Sequence, residues 1–192
     1  MIQIMRAEDV RMRLAIMMAD GCEEIEGLTV VDLVRRAGMD IDMISVNGAD
    51  TFTGSHGIEV KADLKFEDAD MNAYDGVILP GGMPGTRNLA AHTGVCEVVK
   101  NANAAGKLIA AICAAPSVFG GLGLLEGKNA TSYPGFEEEM PGCTYLTDKV
   151  VVDGNIITSR GMGTAIDFSL AIISYCIDDE TSDKLSKGIM FS

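Results

Sequence analysis

Short apolar runs alternate with helix-patterned stretches along most of this chain, and that alternation constrains its fold more than any other feature. Arg13–Met18 is an apolar run that stops at the turn residues Ala19-Asp20-Gly21. From Glu24 to Ala37 the spacing changes: Ile25, Leu28, Val31 and Val34 recur at helical intervals, and Gly38 supplies a natural helix stop. Asp40–Val46 reads as a strand, Gly48 and Gly54 mark a loop or hairpin beyond it, and Ile58–Ala62 reads as a short edge strand. Gly76–Leu79 runs straight into Pro80-Gly81-Gly82. Helix is expected over Leu89–Ala105 with a break near His92-Thr93, strand over Lys107–Ile112 and helix again over Ala114–Leu125. Asp153-Gly154-Asn155 joins two further strand-like runs in a hairpin, before a long helix over Thr164–Ile177 and a last turn over Asp183–Lys187. Continuous apolar strands alternating with helices imply a mostly parallel sheet covered on both faces, hence an α/β protein built as a three-layer α/β/α sandwich. Ligands in such sheets bind at the carboxyl ends of strands. That rule selects Asp20–Glu26, Pro80–Gly85, Cys113–Pro116 and Ser159–Thr164.

A chain of 192 residues corresponds to about 1.3 average domains. Met12 resembles a natural start, so residues 1–11 are expected to be an N-terminal extension and residues 12–192 a single domain. Fifteen basic residues against 28 acidic ones give a net charge of −13, which argues against nucleic acid or an anionic membrane as partner. The longest apolar runs, Leu14–Ala19 and Leu108–Ala115, fall far short of the roughly 20 residues a bilayer requires. Glu8, Asp9, Arg11 and Arg13 interrupt any secretory signal, so a cytoplasmic protein is expected. The five cysteines, at 22, 96, 113, 143 and 176, lie too far apart for a CxxC or zinc-knuckle spacing and read as reduced thiols.

One cysteine differs in context. In Ala110-Ala111-Ile112-Cys113-Ala114-Ala115-Pro116 a thiol ends a buried strand, small residues follow, and a helix begins. This is the sequence form of a nucleophile elbow, and a helix N-terminus there is expected to lower the thiol pKa. The competing reading is a small core hydrophobe. Gly81-Gly82 after its strand would let backbone N–H groups approach a ligand, as an oxyanion site requires. Glu23, Glu24 and Glu26 open a helix at the same sheet edge. Acids in a first turn are usually solvated dipole partners, but one here could turn inward toward the thiol, and spacing leaves open which. Of the two histidines, His56 in a loop is favoured over His92 for a site role. Gly121–Gly127 has the wrong context for a dinucleotide loop, Asn129-Ala130-Thr131 is a sequon without an export route, and the 12 methionines are scattered core filler.

The strings ADGCEEIE, LVRRAG, VILPGGMPG, IAAICAAP and TSRGMGT, in this order between about Met12 and Ser186, resemble the ThiJ/PfpI (DJ-one/PfpI) superfamily. The similarity is greatest to its branch of the human parkinsonism-associated deglycase and small bacterial relatives. The resemblance implies a flavodoxin-like sandwich, related to class I glutamine amidotransferase domains and forming a homodimer. It makes Cys113 the reactive cysteine and Glu26 the protonated glutamate beside its sulfur. Gly81 and Gly82 become the backbone oxyanion site, grouped with Ala114, Tyr133 and His56 as oxyanion- and substrate-binding residues. Three positions depart from family patterns. Ala114 stands where the protease-like branch carries His, which disfavours peptidase activity. Tyr133 replaces a His near the thiol, and His56 replaces an Arg. The expected function is a glyoxalase or deglycase acting on methylglyoxal, glyoxal or their early protein and nucleotide adducts, with no cofactor and no metal. The alternative is a redox-responsive stress protein or chaperone read out by oxidation of Cys113.

Overall fold

An apolar strand with no polar alternation is stable only when helices cover both of its faces, and the chain supplies helices for each. The computed structural model describes residues 12–191; the expected extension over residues 1–11 lies outside them. In chain order the elements are β1 (Arg13–Met18), α1 (Glu24–Arg36), β2 (Asp40–Ser45), β3 (Thr51–Thr53), β4 (Glu59–Lys61), β5 (Leu64–Lys65), β6 (Gly76–Leu79), α2 (Gly85–Ala91), α3 (Thr93–Ala104) and β7 (Leu108–Ile112). They continue with α4 (Pro116–Gly121), β8 (Asn129–Ala130), β9 (Thr144–Tyr145), β10 (Val150–Asp153), β11 (Ile156–Ser159), α5 (Ala165–Cys176) and α6 (Asp179–Gly188). The central sheet has the order β10-β11-β7-β6-β1-β2-β5, with every neighbouring pair parallel except the β10–β11 hairpin.

The two-residue period of β1 divides its side chains between two cores. Leu14, Ile16 and Met18 join Val30 and Val34 of α1 and Phe168 and Ile172 of α5. Ala15 and Met17 face the other way, with Leu89 of α2, Val95 and Val99 of α3, and Phe119 of α4. Because β1, β6, β7 and β11 are parallel, their carboxyl ends reach one edge together, and the four loops selected above follow those ends.

Several boundaries differ from expectation for identifiable reasons. The helical stretch expected over Leu89–Ala105 is two helices, divided at the break expected near His92-Thr93. His92 leaves helical geometry between them, and its Nδ1 accepts the Val95 N–H at 3.1 Å as the N-cap of α3. The imidazole therefore has a capping role. The run at Ile58–Ala62 pairs with Thr51–Thr53 in a separate antiparallel ribbon, while the two-residue β5 takes the sheet edge beside β2. The helix after Cys113 begins only at Pro116 and ends at Gly121, six residues in all.

Candidate active site

Cys113 directly follows β7 in the left-handed region, with φ of 64°, a conformation that costs a non-glycine residue of order 1–3 kcal/mol. Two backbone hydrogen bonds hold it there. Its N–H donates to the Ser159 carbonyl at the end of β11 (3.0 Å), and its own carbonyl accepts the Tyr133 N–H (2.8 Å). The turn lifts the half-buried side chain out of the strand line, as an elbow does.

Two of the three opening glutamates of α1 turn inward, to different partners. Glu26 is 1% exposed; its Oε2 accepts the Gly81 N–H at 2.9 Å, and its carboxyl is the hydrogen-bond partner of the Cys113 side chain. Burial pushes the Glu26 carboxyl up to about 7, against the opposing hydrogen bonds from Cys113 and Gly81. Glu24, equally buried, faces the β3–β4 hairpin instead. Its carboxylate accepts the His56 N–H (2.9 Å) and meets His56 Nδ1 (3.0 Å). Burial alone would raise Glu24, but the hydrogen bonds from the His56 side chain and from nearby backbone hold it at about 2. A solvated first turn is thus the wrong picture for both.

The expectation of a low thiol pKa is corrected. Burial, and after it the charge of Glu26, push the Cys113 thiol up to about 12, although the backbone N–H groups of Gly82 and Ala114 pull in the opposite direction. A helix of six residues beginning three positions later offers little dipole to oppose this. Near neutrality the thiol therefore keeps its proton while the Glu26 carboxyl beside it takes up and releases one.

The oxyanion assignment is also revised. The Gly81 N–H already donates to Glu26, so Gly81 orients the carboxyl, and the donors directed at the sulfur are the amides of Gly82 and Ala114. Both glycines are sterically required. A Cβ on Gly81 would fall 2.5 Å from Cys113 Cβ and 2.6 Å from Glu26 Oε2. Gly82 has φ of 87°, and a Cβ there would fall 2.7 Å from the Cys22 carbonyl carbon and 2.9 Å from the Gly21 oxygen. Gly82→Ala is accordingly expected to lose about 2–4 kcal/mol in urea unfolding, from strain plus backbone overlap. An unchanged midpoint would show that the loop yields.

Tyr133 is 52% exposed. Its ring lies over Gly161, where a Cβ would stand 3.4 Å from the ring and 3.9 Å from Glu26 Oε1, so Tyr133, Gly161 and Glu26 share one wall. His56 is placed otherwise than expected: the polar contacts of its ring are to Glu24, Glu23 and Ser55, and it ties the hairpin to α1. Glu23, Glu24 and His56 form the only group among the described residues whose ligand atoms could converge on a metal, all within 4.8 Å of one another. Glu24 and His56 are already hydrogen-bond partners. The other four cysteines lack the elbow geometry. Cys22 is fully buried, Cys96 donates to the Ala90 carbonyl, and burial raises the pKa of each of the four. Ser159, which ends β11, and Gly161 are marked in the sequence by the TSRGMGT string and the Ser159–Thr164 loop, but not by any individual role.

Comparison with known proteins decides the family, because the DJ-1/PfpI family matches residues 12–175. The chain belongs to the DJ-1/PfpI family. It is 35% identical over 177 residues to protein dj-1beta of Drosophila melanogaster, covering 91% of this chain and 95% of that one. The crystal structure of the Drosophila protein superposes with a TM-score of 0.90, over 94% of this chain and 98% of that one. Identity to DJ-1 homolog B of Arabidopsis thaliana is 38% over 91% of this chain, which spans only 40% of the length of that relative. A Pyrococcus abyssi protein named a deglycase is 33% identical, over 79% of this chain and 92% of its own. The flavodoxin-like α/β sandwich expected of this DJ-1/PfpI chain is the fold observed. No helix among the described residues is long and apolar enough to cross a membrane.

Proposed function

We propose that the protein is a cysteine-dependent glyoxalase or deglycase that converts 2-oxoaldehydes to 2-hydroxy acids without a cofactor. The observation that carries this reading is the buried Glu26 carboxyl, hydrogen-bonded to a thiol held at a strained elbow. A carboxyl titrating near 7 is suited to accept and return protons at neutral pH. The relative named a deglycase supports the same chemistry.

With methylglyoxal bound, Glu26 takes the thiol proton as sulfur bonds to the aldehyde carbon, and the carbonyl pair becomes an alkoxide. The Gly82 and Ala114 amides, which already face the sulfur, are the donors placed to steady that oxygen until it is protonated. Glu26 gives the thiol proton to that oxygen and, a carboxylate again, removes the hydrogen on the former aldehyde carbon as a proton, which passes to the ketone oxygen. An enediol results, and a proton added to the neighbouring carbon while the first hydroxyl loses its own gives a lactoyl thioester. Water cleaves the carbon–sulfur bond, regenerating the thiol and releasing lactate and a proton; the sum is methylglyoxal plus water. For an early adduct, sulfur displaces the amine from the carbinol carbon, and the same hemithioacetal follows.

The test is lactate formation by the purified wild-type protein given methylglyoxal and no added thiol or metal. Steady turnover is expected. A protein that forms no lactate at any pH between 6 and 9 would overturn the proposal.

A further inference from the structure

The charges around the thiol distinguish substrates that have the same reacting carbons. Glu23 is the first of three acids at the start of α1, and its side chain is only 16% exposed. Its backbone N–H donates to the Gly81 carbonyl at 2.9 Å, which ties it directly to the loop that holds Glu26. Its carboxylate lies 3.4 Å from Ser55 Oγ and 3.6 Å from His56 Nδ1. The same imidazole is closer to Glu24, at 3.0 Å. Two carboxylates thus share one imidazole, and the cluster keeps a net negative charge even when His56 is protonated.

Among the described residues, no cation is recorded as offsetting this at Glu26 or Cys113. Of the arginines that follow the site strands, Arg87 gives both guanidinium nitrogens to Glu139, at 2.6 and 2.7 Å, and Arg160 turns to the Thr147 carbonyl at 2.8 Å. The charge that reaches Glu26 is that of Glu23, and the charge that reaches Cys113 is that of Glu26; both are negative. An anionic substrate would bring a further negative charge into a partly desolvated site, where screening is weak.

We infer that the site accepts uncharged 2-oxoaldehydes and rejects those bearing a carboxylate, and that Glu23 is the residue that determines this selection. The inference rests on the glyoxalase reading and narrows its substrate class. For either kind of substrate the chemistry balances in the same way: the oxoaldehyde and water give the 2-hydroxy acid, and the side chain is unchanged.

The test compares 4,5-dioxopentanoate with its methyl ester, which have the same carbon chain but differ in charge, with methylglyoxal as the control. In wild type at low salt the ester is expected to exceed the acid in kcat/KM by about tenfold or more. At about 0.5 M salt the ratio should fall, because screening shortens the reach of the repulsion. Glu23→Gln should lower the ratio at low salt by raising kcat/KM for the acid relative to the ester. Equal kcat/KM for acid and ester in wild type would overturn the selection while leaving the function intact, provided methylglyoxal still yields lactate. An unaltered ratio in a folded Glu23→Gln protein would remove Glu23 from the argument. Should that variant not fold, the wild-type ratio and its salt dependence still decide whether charge selects. Absence of lactate from methylglyoxal would overturn both proposals together.

Discussion

Cys113→Ala is expected to abolish lactate formation from methylglyoxal, lowering kcat/KM by about 10³-fold or more. Removing a covalent nucleophile leaves only the binding and electrostatic parts of catalysis. The fold should survive the change. Alanine keeps the Cβ that already occupies the left-handed position, and the hydrogen bonds from the Cys113 N–H to Ser159 and from Tyr133 to the Cys113 carbonyl are made by the backbone. Circular dichroism and urea unfolding should therefore match the wild type while turnover is lost. Undiminished turnover would show that another group performs the chemistry. Alanine at any of the other four cysteines should leave most activity in place, since none of them sits at the elbow. A protein whose only task was to report oxidation through Cys113 would form no lactate even as wild type, which separates that alternative from the enzyme.

The parts of the site legible in the sequence are those in which a local pattern has a single physical solution. A cysteine ending an apolar strand and followed by Ala114, Ala115 and Pro116 can make a sharp turn, and the turn is present with φ of 64°. Parallel strands bring their carboxyl ends to one edge, so the loops after β1, β6, β7 and β11 could be grouped from the alternation alone. The legibility ends where partners come from distant segments. Nothing in Glu23-Glu24-Ile25-Glu26 states that Glu24 meets a hairpin more than 30 residues away while Glu26 meets the Gly81 amide 55 residues away. The Gly81-Gly82 pair looked like two equivalent donors, but only three-dimensional placement shows that one amide is occupied by Glu26. His92 lies at the helix break that the sequence suggests near His92-Thr93, but its N-cap bond to the Val95 N–H is not readable from the pattern of residues 89–105. The thiol pKa is hidden from the sequence for the same reason: burial and the Glu26 charge are tertiary properties, and the helix that would oppose them is only six residues long.

Glu26→Gln is expected to stabilise the protein above neutral pH while removing its activity. The folded carboxyl titrates at about 7 against an ordinary value of 4.5. The folded state therefore holds a proton through a range in which the unfolded chain has released it. A raised carboxyl pKa means that this group's contribution is most favourable below about 4.5 and is lost as pH rises toward 7. Above that, the buried carboxylate costs roughly 3 kcal/mol at about 1.36 kcal/mol per pKa unit. Glutamine is neutral at every pH, and its carbonyl oxygen can still accept the Gly81 N–H. Urea unfolding at pH 8 should accordingly show the variant more stable than wild type by about 2–3 kcal/mol, with the gap closing near pH 4.5. A variant less stable at pH 8 would mean that hydrogen bonds from Cys113 and Gly81 more than offset the burial of the charge. Activity should move the opposite way, since an amide cannot take the thiol proton or carry one between the two carbons. A buried acid that weakens the fold at the pH where it works is the stability cost expected of a proton-transfer group, and a purely structural glutamate would show the reverse pH dependence.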